Sequence, residues 1–144
     1  MAALTGTNVI SEKYTEGELQ TFVGSYTLDG AIASADTITW SSALPNVNGV
    51  TIMEVIVFGD ELDTNASPTG TLIVGDGTDA DGYLASKTAG GAGDQLLYAG
   101  DGALIGTVVT GTDIVLTVGG TLATAASSGT VRIKVLYGCG DFTQ

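Results

Sequence analysis

Histidine is absent from this 144-residue chain. That removes the Ser-His-Asp and Cys-His nucleophile arrangements, the usual general base near neutral pH, and the commonest zinc and copper ligand. Cysteine is reduced to Cys139, which excludes an intrachain disulfide and any cysteine-based metal cluster. The expectation for Cys139 is a passive thiol near the end of the chain. Basic residues are limited to Lys13, Lys87, Arg132 and Lys134, against 16 acids, so the net charge is -12. A sequence-independent hold on DNA or RNA needs clustered Lys and Arg to release counterions from phosphates. The same deficit disfavours an anionic membrane surface. Neither nucleic acid nor a membrane is therefore an expected partner. No apolar run approaches the roughly 18 residues of a membrane-crossing helix. The opening Met-Ala-Ala-Leu-Thr-Gly-Thr-Asn lacks the basic and apolar regions of a secretory signal, so synthesis in a cytosol is expected.

Charge is sparse as well as one-signed: 14% of residues are charged, against about a quarter in an ordinary globular chain. Apolar residues (44%) and 22 glycines fill the space, a composition that suits β-structure with tight turns. A chain of this length folds as one domain and buries about 68–70% of its unfolded surface, enough for a core without disulfides.

The chain is organised around Thr69 to Tyr83, where a short apolar run stops in a Gly- and Asp-rich turn and Tyr83 restarts it. The pattern is strand, acidic turn, strand. On the N-terminal side, Glu18 to Leu28 places Phe22, Tyr26 and Leu28 on one face with Gly24 between them, and Asp36 to Trp40 puts Ile38 and Trp40 on one side. Both follow the two-residue period of a half-buried strand. Trp40 is expected in the core. Val50 to Phe58 is apolar at both parities, with Val50, Ile52, Ile56 and Phe58 alternating against Met53, Val55 and Val57. That reads as a strand covered on both sides. Further strands are expected at Thr69 to Val74, Tyr83 to Ser86, Gln95 to Tyr98, Leu104 to Thr110, Asp113 to Val118, Thr121 to Ala125 and Thr130 to Tyr137. Roughly eight to ten short strands, turn signals every eight to twelve residues and no 3.6-residue period predict an all-β, single-domain antiparallel β-sandwich, jelly-roll-like in kind. Residues 1–17 carry no period and are expected to form an N-terminal arm, with the sandwich domain over 18–144.

Several constellations of side chains bear on chemistry. A carboxylate-only hydrolase needs two acids facing across a cleft, one of them in an apolar pocket. Only Glu54 stands in an apolar segment, and an enzyme is not expected. Gly75-Asp76-Gly77-Thr78-Asp79-Ala80 has the spacing of a dinucleotide loop, yet Asp76, Asp79 and Asp81 would repel a pyrophosphate and no helix follows. The same aspartates could offer oxygens to calcium. A solvated turn, with Asp capping its own backbone, is the plainer reading. No catalytic, cofactor-binding or metal-ligating residue is expected, and no cofactor. Asn65-Ala66-Ser67 fits a glycosylation sequon but is followed by Pro68, and is read as coincidence.

Three segments carry a resemblance: LPNVNGVTIMEVIVFGDELD over 44–63, TGTLIVGDGTDADGYLAS over 69–86 and DIVLTVGGTLATAASSGTVRIKVLYG over 113–138. In their order the chain resembles the small β-sandwich structural proteins of tailed double-stranded DNA phages. The resemblance implies a virion component: a capsid decoration or cement protein, made in the host cytoplasm. It would bind the major capsid protein on the head exterior, as a homotrimer, and stabilise its lattice. Contacts are then expected from Ala2 to Tyr14. The alternative is a receptor- or glycan-binding module of a tail appendage, with loops Asp60 to Pro68 and Lys87 to Gly93 forming the site and Trp40 or a tyrosine cluster exposed for stacking.

Overall fold

Strict alternation builds the centre of the molecule. Across residues 130–137, Val131, Ile133, Val135 and Tyr137 are buried while Arg132 and Lys134 are exposed, as the two-residue period of a pleated strand requires. The computed structural model describes residues 2–10, 19–45, 49–91 and 94–139. Its strands are β1 (Ala3–Thr5), β2 (Thr7–Ile10), β3 (Leu19–Thr27), β4 (Thr37–Trp40), β5 (Val50–Asp60), β6 (Gly70–Gly75), β7 (Leu84–Thr88), β8 (Gln95–Ala99), β9 (Val108–Val109), β10 (Ile114–Gly120) and β11 (Thr130–Cys139).

These strands form two packed sheets, ordered β1-β4-β10-β6-β7 and β2-β3-β11-β5-β8, with β9 attached to β5. The pairs β3 with β11, β4 with β10, β5 with β8 and β6 with β7 are all antiparallel and nested one inside the next. The chain is thus one long ribbon, running out through β3 to β6 and back through β7 to β11, rolled so that successive pairs fall in alternate sheets. This is the jelly roll, and the expected all-β sandwich is observed.

The core lies between the sheets and includes Trp40, which is fully buried in one cluster with Phe22, Ile38, Leu116 and Val135. The indole Nε1 donates to the Ser25 carbonyl at 3.1 Å, giving a buried donor its partner. Two glycines make room for the ring: a Cβ on Gly6 or Gly24 would overlap it. Gly6 is also where the chain leaves β1 in one sheet for β2 in the other, its N–H donating to the Thr39 carbonyl at 2.7 Å.

Three sequence expectations meet a different structure. β5 is apolar at both parities for a reason other than double coverage. Opposite β11, Tyr137 pairs with Ile52 and Leu136 with Glu54, leaving Met53 as the extra residue of a β-bulge. Because a bulge shifts the alternation by one, Val50 and Ile52 point inward before it, and Val55 and Val57 after it. Met53 is 43% exposed. The segment Leu104 to Thr110 is mostly turn, with Ile105 N–H on the Gly102 carbonyl and Thr107 N–H on the Leu104 carbonyl. Gly106 has a φ of 79°, a left-handed conformation that ends a strand. Only Val108 and Val109 pair, with Thr51 and Val50. Thr121 to Ala125 is likewise a loop, because the N–H groups of Ala123 and Thr124 turn to a side chain. Within the expected arm, residues 3–5 pair with β4 and residues 7–10 with β3, at the edges of the two sheets. Residues 11–18 lie outside the described ones.

Candidate functional site

One carboxylate organises the loops at an end of the sandwich. Asp63 is fully buried and accepts five backbone N–H groups, from Asn65 (3.3 Å), Thr69 (3.0 Å), Gly70 (2.9 Å), Ala123 (2.9 Å) and Thr124 (2.9 Å). Burial alone would raise its pKa. The N–H groups of Gly70, Thr124, Ala123 and Thr69 overcome that effect and hold the carboxyl well below the usual carboxylate range. Two segments distant in sequence are thereby fixed on one side chain, and Leu62 and Asp63 add N–H bonds to the Ala89 carbonyl. Asn65 is drawn into the same cluster, its Nδ2 donating to Thr124 Oγ1 and its Oδ1 accepting from Ser67 N–H.

The two loops offered as a ligand site, 60–68 and 87–93, do meet: Glu61 Oε2 accepts the Gly91 N–H at 3.2 Å. Beside them an open cleft of about 490 Å3 is lined by Asp60, Glu61, Thr64, Asp94, Ser128 and Gly129. Two of its carboxylates are engaged with backbone, Glu61 with the Gly91 N–H and Asp60 Oδ2 accepting from Thr130 N–H at 2.8 Å. None of its lining residues is aromatic, and Trp40 is buried; Tyr98 instead lines a second cleft of about 430 Å3 with Gly91, Gln95 and Leu97, its hydroxyl donating to the Thr88 and Gly90 carbonyls.

The acidic turn folds onto itself. Asp76 Oδ1 accepts the N–H groups of Thr78 (2.9 Å) and Asp79 (2.8 Å), the Asx arrangement that such residues favour. Asp79 is held above its ordinary pKa, first by a hydrogen bond with Asp81, then by partial burial and the neighbouring negative charge. Tyr83, which restarts the chain, is buried with its hydroxyl unpartnered, and burial followed by the Asp76 charge pushes its pKa up. Among the described residues no group of three acidic or cysteine side chains is placed to hold a metal ion. Glu54 stands exposed on β5, not in an apolar pocket, and Cys139 is buried at the end of β11. No helix among the described residues is long and apolar enough to cross a membrane.

The outward faces of the two sheets differ. On the β4–β10–β6 face, Thr37, Thr39, Thr71 and Thr117 occupy the half-buried outward positions with Val115 and Ile73. On the β3–β11–β5–β8 face the register sets Ser25, Arg132, Phe58 and Leu97 in one row, and Val23, Lys134, Ile56 and Ala99 in the next. Thr21, Leu136 and Glu54 form a third. Composition and alternation did not single out this face, although Arg132, Lys134 and Leu136 were legible as one parity of the last strand.

No protein-family model matches the chain, and no curated protein matches it. Solved structures do. A chain of the Ralstonia phage GP4 capsid shares the fold, with a TM-score of 0.70 at 21% identity over 96% of this chain and 99% of that one. A chain of the cyanophage Pam1 capsid asymmetric unit has a TM-score of 0.69 and is 31% identical. With that identity extending over 90% of each chain, the protein belongs with the Pam1 chain to one family of phage capsid proteins.

Proposed function

We propose that the protein is a decoration, or cement, protein of a phage head. It binds the outside of the shell as a homotrimer, bridges neighbouring copies of the major capsid protein and stabilises their lattice against the pressure of the packaged genome. The observation that carries this reading is the 31% identity to the Pam1 capsid chain along 90% of both sequences. The fold supports it. The sandwich closes its core within one chain, as suits a preformed unit added to an existing shell. Asp36, Asp60 and Asp63 use their carboxylates to hold loops through backbone N–H groups, a structural use of charge. In this reading residues 1–17 serve as the arm of the sandwich domain 18–144. Over 3–10 they line the sheet edges, where a neighbouring subunit would meet them.

Cryo-electron microscopy of the virion whose genome encodes the chain tests the reading. Density for the sandwich at regular sites over the outer shell is the expected result. Density confined to the tail would replace decoration with host recognition.

A further inference from the structure

We infer that the outward face of the β3–β11–β5–β8 sheet is the surface that docks onto the shell, and that its partner is an apolar protein strip edged with carboxylates. This deepens the decoration reading and rests on it.

The face unites two features that are rare elsewhere on the molecule. The first is apolar surface. Val23, Ile56, Phe58 and Leu136 stand half-buried at outward positions, and Leu97, beside Phe58 in register, is 75% exposed. The equivalent positions of the opposite sheet are mainly threonine. An apolar patch with a polar surround is the usual mark of a protein interaction site.

The second feature is positive charge. In a chain of net charge -12, Arg132 and Lys134 are both exposed in the middle of this patch, at alternate positions of the central strand β11. The ion pair found among the described residues, Lys87 with Asp101, lies elsewhere. Neither Arg132 nor Lys134 forms an ion pair with another described residue, and with Glu54 as the acid beside Lys134 the two present positive charge next to apolar side chains. A cleft of about 60 Å3 between Thr21, Glu54, Lys134 and Leu136 gives one partner side chain a place to enter.

Charge complementarity selects the partner. An acid-bearing surface is attracted to this face and repelled by the acidic remainder, so electrostatics orient the molecule as well as hold it. Phosphate chains are a poor fit, since two cations amid apolar side chains supply little counterion release.

The test uses purified full-length protein and heads of the same phage that lack it, with binding measured by co-sedimentation across ionic strengths. R132E/K134E is expected to lose about a hundredfold in affinity or more, and L97S about tenfold. Wild-type affinity should fall as salt rises. T39E/T117E, which adds the same sign of charge to the opposite sheet, should bind like wild type. Thermal unfolding checks that each variant is folded, and analytical ultracentrifugation reports its oligomeric state. Unchanged binding by R132E/K134E overturns the inference. So does an equal loss in T39E/T117E, which would make the effect one of net charge. Dissociation of an oligomer by R132E/K134E would assign the face to contact between copies and overturn it too. If wild-type protein fails to bind heads, the decoration reading falls and this face with it; wild-type binding with no loss in the variant sinks the face alone.

Discussion

Asp63 and the Asp76 to Asp81 turn are both acidic loops following a strand, yet they hold the molecule in different ways. The turn has three aspartates within six residues, and the hydrogen bonds to Asp76 stay within that turn. Asp63 acts alone, but it is buried and receives N–H groups from residues two, six, seven, 60 and 61 positions away. The number of acids in a motif thus says little about its structural weight. What counts is how many buried donors depend on one acceptor, because each donor left without a partner costs its desolvation.

Removing the carboxylate is the strongest way to break this contrast. Asp63→Ala orphans a set of buried N–H groups and should destabilise the protein by about 4 kcal/mol, read as a lower midpoint in urea. The pH dependence sharpens it. The Asp63 pKa is lowered by folding, so its contribution is fully present above the ordinary carboxylate range and is lost as pH falls through the folded value. The stability gap between wild type and Asp63→Asn, which cannot titrate, should therefore narrow as pH drops below about 5. A gap that widens on acidification would show that the carboxylate is not the group being stabilised. Asp76→Ala should cost less, about 1 kcal/mol, since its two N–H donors can turn to water. Smallest of all is Asp81→Asn, which removes one like charge from an exposed turn and should change stability by less than about 0.5 kcal/mol. If Asp76→Ala proved as damaging as Asp63→Ala, the distinction between the two loops would collapse.

Much of the fold was legible in the chain. Alternation located β3, β4, β6, β8, β10 and β11, since each places its buried side chains at every second position. Trp40 was legible as core by its parity with Ile38. What escaped has a common physical cause, namely dependence on residues far away in sequence. The bulge at Met53 is defined only by the register against β11. β1 and β2 have little side-chain pattern of their own and are set by pairing with β4 and β3. Thr121 to Ala125 has the composition of a strand, but its donors are taken by Asp63, 60 residues earlier. Asp63 itself sits among Thr, Asn, Ser and Pro, a setting indistinguishable in sequence from a solvated turn. The face carrying Arg132 and Lys134 escaped because its apolar members come from four strands that meet only in the folded sheet.

The position of β11 has a consequence for how the protein is made. It is the last strand described, and it lies in the interior of its sheet between β3 and β5, not at an edge. A ribosome delivers it after the other described strands, so β3 and β5 emerge without the partner that joins them and wait with their inward rows uncovered. The nested pairing postpones closure until more than a hundred residues have been synthesised, as the register of Thr27 with Thr130 requires. Assembly of the sandwich is then a late event dominated by long-range contacts, the regime in which folding is slow and aggregation competes with it. A nascent chain stalled before Thr130 would expose the core of one whole sheet, and the chaperone demand of this protein should be concentrated in that interval.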